Sequence, residues 1–344
     1  MGASCCGRPL LHFAFRAKDN GGTMNRCHLW LIGLLAVMLQ ATAVLAQQNL
    51  PIIDAHSQFD QNVPNEQIIA VIERAGVSRV LLSARMGESV ESRALGLARV
   101  RPDLISVLVA SKWDRYQRAD QFVPSFVQRA ENPAFAGMAE MLVTHAPHDH
   151  PQLKFAGLQI PLDAPQIKAG IRVARQHDWP LILHLEFVDM GDDAAQQYLA
   201  ALEKLLRENR DLPVGLIHMG QLNPPKAAAL LATYENLFLL TSQADNITAM
   251  GTRRMFERGM KAQTGWINMF GGRALRPEWK ELMIRYPDRF VLAFDNVFPN
   301  SWSEQYTRRV AAWRDALSDL PPEVAHKIAH GNAEQLWKLP PARN

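Results

Sequence analysis

Eight short apolar runs, spaced along residues 52–294 and separated by amphipathic stretches, constrain this 344-residue chain more than any other feature. The runs are Ile52–Ala55, Arg79–Ser83, Leu104–Ala110, Phe135–Val143, Pro180–Leu185, Pro213–His218, Leu237–Thr241 and Phe290–Phe294. Several are apolar along their length, such as Val80-Leu81-Leu82 and Val291-Leu292-Ala293-Phe294. A strand reads this way when both its faces are buried in a parallel sheet. Helical spacing fills the intervals at Asn65–Ala75, Glu88–Val100, Gln121–Ala130, Ala164–His177, Ala194–Asn209, Pro225–Tyr234 and Arg276–Tyr286, then at Ser303–Leu317 and from Pro322 to His330. Eight strand–helix units in roughly 300 residues predict a distorted, closed (β/α)8 barrel, with a doubly wound open sheet as the alternative. No Gly-x-Gly-x-x-Gly follows the first run, so a dinucleotide site has no support. One extra segment, Phe155–Ile160, is either an additional short strand or the true fourth strand.

The N-terminus reads differently. Met24-Asn25-Arg26 forms a positive start, Leu29–Leu39 an apolar stretch, and Val44-Leu45-Ala46 a small-residue cleavage site before Gln47. The expectation is a leader over residues 1–46, its signal peptide spanning about 24–46, ahead of one barrel domain at 47–344. Residues 1–23 resemble no signal start, which suggests that translation begins at Met24. The apolar stretch is short for a membrane span, so cleavage and export to a periplasm or beyond the cell are expected, with no stable insertion afterwards. The leader holds Cys5, Cys6 and Cys27, all three cysteines, and carries the whole formal charge of +3. The remainder has 33 basic and 33 acidic residues. A disulfide scaffold, a cysteine nucleophile and a Cys-ligated zinc are thereby excluded from the barrel, and no basic stripe points to nucleic acid.

In a barrel of this kind, chemistry sits at the C-terminal ends of the strands. The first run ends in Asp54-Ala55-His56-Ser57-Gln58, the fourth contains Glu140, and the fifth carries His184 followed by Glu186. The sixth ends in His218, Ser242 follows the seventh, and the eighth ends in Asp295. Polar groups in apolar strands are costly without partners. Imidazoles and carboxylates recurring at strand ends are the donors expected for zinc or a similar divalent ion. The plain alternatives are a core histidine for His184 or His218, a helix cap for Asp295 and a solvated loop for Glu140. His145, His148 and His150 lack single-face spacing and read chiefly as a solvated loop, with a lid or accessory site as the other reading. His177 and His326 fall on helical surfaces. Trp266, Trp279, Phe298 and Trp302 either shape an apolar pocket or serve as ordinary packing.

The segments IIDAHSQFD at 52–60, AGMAEM at 136–141, LILHLE at 181–186, GLIHMG at 215–220, YPDRFVLAFDNV at 286–297 and HGNAEQLWKL at 330–339 carry a resemblance. Over about residues 51–338 the chain resembles the amidohydrolase superfamily, in its amidohydrolase-related branch. The resemblance implies a distorted (β/α)8 barrel binding one or two divalent ions. It also implies ligands at His56, Glu140, His184, His218 and Asp295. Gln58 stands where the family's pair on the first strand has its second histidine, and Phe294 where many relatives have Ser or Thr. Gln58 argues for a single ion, as in certain N-acetylglucosamine-6-phosphate deacetylases, here through Glu140, His184 and His218. Zinc is the expected metal, with manganese or iron as alternatives.

The chemistry implied is attack of an activated water on an ester, lactone or amide carbonyl of a small molecule. Asp295 would be the proton carrier and His56 or His184 would support the oxyanion. Gln58, Glu186 and Arg273 are the expected substrate-facing residues. Two other readings stand beside this one. One is a decarboxylase of the same superfamily, with Arg273 holding the substrate carboxylate. The other is a non-catalytic periplasmic barrel whose metal site has decayed. The sequence leaves monomer and homo-oligomer both open.

Overall fold

The computed structural model describes residues 50–85, 87–111, 115–145, 148–150, 153–155, 157–187, 190–244, 269–272 and 274–342. The leader lies outside them. Nine strand segments build the barrel wall: β1 (Ile53–Phe59), β2 (Arg79–Ala84), β3 (Ile105–Val109), β4 (Phe135–Met138), β5 (Met141–Leu142), β6 (Leu181–His184), β7 (Val214–Leu216), β8 (Leu237–Leu240) and β9 (Phe290–Val291). Each of the eight expected runs forms wall, and the fourth is split into β4 and β5 by a break at Ala139-Glu140. All neighbouring strands in the two wall sheets are parallel, β1-β2-β3-β4 and β5-β6-β7-β8-β9.

Backbone hydrogen bonds close the ring beyond the last strand. Ala55 N donates to Leu292 O at 3.0 Å, Asp295 N to His56 O at 2.7 Å and Gln58 N to Asn296 O at 2.7 Å. The chain therefore adopts the closed barrel, not the open sheet. Phe155–Ile160 is not a barrel strand. Its Leu158–Gln159 pairs antiparallel with Thr144–His145, forming a hairpin above the wall. Apolar spacing alone could not reveal that partner. A second hairpin pairs His148–His150 with Leu153–Phe155.

The helices between strands are α1 (Asn65–Ala75), α2 (Gly87–Val100), α3 (Ala119–Ala130), α4 (Pro165–His177), α5 (Asp192–Glu208), α6 (Pro224–Thr233) and α7 (Pro277–Arg285). Local chemistry sets their ends. Asn223 accepts from Lys226 N at 3.0 Å and two prolines occupy the first turn of α6. Gly76 ends α1 at φ +66°, a conformation that costs other residues more. After β9 come α8 (Tyr306–Ser318), α9 (Pro322–His326) and α10 (Asn332–Trp337). The helix expected from Pro322 to His330 is present and runs further: a π-helical turn over Lys327–Gly331, with right-handed backbone on both sides, carries α9 into α10. Among the described residues, no helix is long and apolar enough to cross a membrane.

The apolar core divides in two. A large layer packs between wall and helices, and a small cluster fills the barrel with Ile53, Leu81, Leu108, Ile182, Phe238 and Val291. Ala333 and Trp337 of α10 join that inner cluster, with the Trp337 ring edge-on to Phe238 at 6.2 Å. Trp337 therefore stoppers the N-terminal end of the barrel. Gly137 and Gly215 make room for it: a Cβ would lie 2.8 Å from Trp337 at the first and 2.6 Å from Phe238 at the second. The interior below the strand ends is thus packed, as in other barrels of this class, and polar chemistry is left to the opposite end.

Candidate metal centre at the strand ends

Local irregularities in the wall aim the polar side chains inward. Between the pairs Asp54↔Val80 and Ser57↔Leu82, β1 spends one more residue than β2. This bulge lets His56 and Gln58 turn into the mouth. Asp54 points the other way and accepts from four donors: Ser57 Oγ at 2.5 Å, Tyr306 Oη at 2.9 Å, His56 N at 3.2 Å and Phe294 N at 3.1 Å. It ties β1 to the closing strand and α8. Burial pushes its carboxyl up to about 6 despite those hydrogen bonds. Arg309, also on α8, donates to Phe294 O at 2.6 Å.

At the break between β4 and β5 the facing pattern shifts. Ala139 belongs to the inner cluster and Met141 to the outer layer, while Glu140 between them reaches the mouth. Ser111 donates its hydroxyl to the Glu140 carbonyl and holds the break. On β6 the alternation is regular, so Ile182, His184 and then Glu186 share the inner face. His218 lies in a run of four residues with positive φ, from His218 at +53° through Met219 and Gly220 to Gln221 at +53°. Left-handed backbone is costly outside glycine and is found where surrounding structure enforces it. Here Ser242 enforces it, accepting His218 N on its hydroxyl at 3.2 Å and facing His218 Nδ1 with its carbonyl at 3.0 Å. Asp295 is also left-handed, at φ +54°.

These elements bring the predicted ligands together. Glu140 Oε2 lies 3.4 Å from His56 Nε2 and 3.1 Å from His184 Nδ1. Asp295 lies 3.5 Å from His56 Nδ1 through Oδ1 and 3.8 Å from His218 Nε2 through Oδ2. Gln58 Nε2 donates to both carboxylates, at 3.1 Å to Glu140 and 2.9 Å to Asp295. Glu186 stands on the far side of His184, 2.8 Å from its Nε2. All are buried. Arg273 and Trp266 lie outside the described residues. Trp279 and Trp302 are buried in the outer layer, and the Trp302 indole donates to Gln58 O at 2.8 Å.

The two central histidines are driven apart. Burial alone would lower the His184 pKa, but Glu140 and Glu186 outweigh it and raise the imidazole to about 9. Burial dominates at His218 and lowers it to about 4, with Asp295 opposing and the neighbouring His184 assisting. His218 is held neutral, the state in which imidazole ligates a metal.

Two neighbours were not singled out from the sequence, and a third was read there chiefly as solvated loop. Gln243 donates to the Asp295 carbonyl at 2.9 Å and nothing in its loop sequence marks it. Thr144 accepts from Glu186 N at 2.8 Å. His145, expected chiefly as a solvated loop residue, is half-buried and stacks on His184 with ring centres 4.7 Å apart. Its ligand atom and those of His184 and Glu186 lie within 4.8 Å of one another. The three-histidine composition of 145–150 was the available signal.

A family model described as Amidohydrolase matches residues 117–339. The chain belongs to the amidohydrolase family. Glu140, His184, Glu186, His218 and Asp295 fall inside the matched span of this amidohydrolase, whereas His56 and Gln58 precede it. No curated protein matches the sequence. Among solved structures, an uncharacterized TIM-barrel protein from Bordetella bronchiseptica is similar at a TM-score of 0.52 and 13% identity, over 84% of this chain and 99% of that one. A 4-oxalomesaconate hydratase from Rhodopseudomonas palustris reaches 0.50 at 13% identity, over 83% and 95%. A dihydroorotase from Saccharomyces cerevisiae, solved with 5-fluoroorotic acid, reaches 0.52 at 14% identity, over 85% of each chain. At these identities the likeness of the amidohydrolase to its neighbours is one of fold.

Proposed function

We propose that this amidohydrolase-family protein is a metal-dependent hydrolase acting on the carbonyl of a small ester, lactone or amide. One observation carries the reading: imidazoles and carboxylates from five wall segments converge, buried, at the end of the barrel where chemistry resides. The donor set fits a zinc-class ion. Its imidazoles and carboxylates are the donor kinds such an ion takes, and the imidazole–carboxylate contacts among them run from 3.1 to 3.8 Å. Glu140, His218, Asp295 and His56 would hold the ion, with His184 set against Glu140. When bound, such an ion supplies Lewis acidity and makes water a nucleophile near neutral pH.

The remaining steps belong to this chain's residues. Asp295 receives the proton of the attacking water at a carboxylate oxygen and returns it to the leaving group. Its backbone carbonyl is steadied by Gln243 and its Oδ1 by Gln58, which fixes the carboxylate in one orientation. Oxyanion charge developing on the carbonyl is met by His56 or by His184. The same Gln58 amide braces Glu140. The leader supports an exported enzyme.

Metal analysis of untagged protein, with a screen of esters, lactones and amides, tests the proposal. Stoichiometric zinc, manganese or iron is expected, with hydrolysis lost on chelation and restored on reloading. In Asp295→Asn, kcat should fall by at least 100-fold while metal is retained. A metal-free protein that neither binds nor responds to added zinc or manganese would overturn it.

A further inference from the structure

We infer that His145, His184 and Glu186 form a second divalent-cation site, at the outer rim of the mouth and separate from the inner cluster. Two imidazoles and one carboxylate are the donor set of catalytic transition-metal sites, with zinc, cobalt and manganese the ions such a set admits. The three donor atoms already lie within 4.8 Å of one another, so modest side-chain rotation closes them on one ion.

Three further observations support the assignment. First, His184 faces two ways. Its Nδ1 lies 3.1 Å from Glu140, and its Nε2 lies 2.8 Å from Glu186. A metal-ligating histidine characteristically donates its other ring N–H to a carboxylate. With Nδ1–H on Glu140, Nε2 is the nitrogen turned toward Glu186 and His145, and an ion there would replace the proton it shares with Glu186. Second, the backbones of the ligands are pinned to one another. Thr144 takes the Glu186 N–H on its hydroxyl at 2.8 Å and returns the hydroxyl proton to Glu186 O at 3.3 Å. Thr144 and His145 are in turn paired to Gln159 and Leu158 in the hairpin. The clamp fixes the rim histidine against the strand-end glutamate, as a preorganised site requires. Third, the burial is graded. His184 and Glu186 are 2% and 3% exposed, and His145 is half-buried on the open side, which gives an ion a route in.

The inference goes beyond the proposed hydrolase and assigns His184 to the outer ion. The inner set is then His56, Glu140, His218 and Asp295, with Glu140 accepting from His184. Chelator-stripped full-length protein titrated with Co2+ and Zn2+, by calorimetry and equilibrium dialysis, tests both sites at once. Wild type is expected to take two equivalents. His145→Ala and Glu186→Gln should each weaken one of them at least tenfold and leave the other. His218→Asn should do the reverse. Circular dichroism checks folding, and the rim variant His145→Ala carries the result should Glu186→Gln misfold. If His145→Ala binds as wild type does, the outer site is overturned, and loss of an equivalent in His218→Asn would still uphold the inner one. A single equivalent lost in His145→Ala but kept in His218→Asn would uphold the outer site and overturn the inner. No binding in wild type overturns both.

Discussion

Asp54 makes a prediction that can be worked through. Its carboxyl is buried, and burial raises its pKa from 3.8 to about 6. The folded state therefore holds a proton more tightly than the unfolded state, and above about pH 6 the ionised group costs stability. A displacement of this size corresponds to about 3 kcal/mol. The cost is fully present above the folded value and is relieved as pH falls from about 6 towards 3.8. Asparagine fits the same place. Its carbonyl can keep the amides of His56 and Phe294, and its amide can donate to the hydroxyl oxygens of Ser57 and Tyr306 once their protons rotate. Asp54→Asn should therefore gain about 2–3 kcal/mol on wild type between pH 4.5 and pH 7.5. Urea unfolding of both proteins in chelator, at several pH values, reads the difference directly. Taking the difference removes the titration of His184 and His218, which both proteins share. A difference that stays flat across this window, or that shrinks as pH rises, would refute the reasoning.

Other outcomes follow from the same geometry. Trp337→Ala should destabilise the barrel by about 3–5 kcal/mol in chemical denaturation, because it empties the stopper of the inner cluster. Gly215→Val should be at least as damaging, since even a Cβ would meet Phe238 at 2.6 Å, and a Phe238→Ala partner should recover some of the loss. Gln58→Leu removes two hydrogen bonds to carboxylates and should cost stripped protein about 2–4 kcal/mol, with less lost after zinc is added, a contrast that thermal melts will resolve. Chelation of wild type should lower its melting temperature by several degrees, since a ligand at 100-fold its Kd stabilises by about 2.7 kcal/mol.

The wall of the barrel was legible because a doubly buried strand leaves an uninterrupted apolar run, and all eight such runs became wall. The candidate site residues stood out for the complementary reason. His184, His218 and Asp295 interrupt runs in which a polar group is otherwise penalised. What could not be read was geometry without a compositional trace. Nothing in Ile217–Gln221 announces a left-handed turn, since only Gly220 suits one and the conformation is held by Ser242 from the turn after β8. Gln243 is an ordinary loop residue until the fold sets it under Asp295. Phe155–Ile160 has the apolar spacing of a strand, and its Leu158–Gln159 does pair as a strand. That pairing is with a neighbouring hairpin arm, and pairing partners are not written in spacing. His145 was visible as composition and became meaningful only when that hairpin laid it on His184.

The hydrogen bond from Asp295 N to His56 O is both the seam of the barrel and the join between two halves of the candidate centre. Gln58 and the Asp295 carboxylate it braces are 237 residues apart in sequence. A partial chain that stops short of Asp295 cannot present both. The centre is thus a late product of folding, completed only when the last strand docks on the first. The surroundings in which that docking takes place, rather than those of synthesis, decide which ions compete for it.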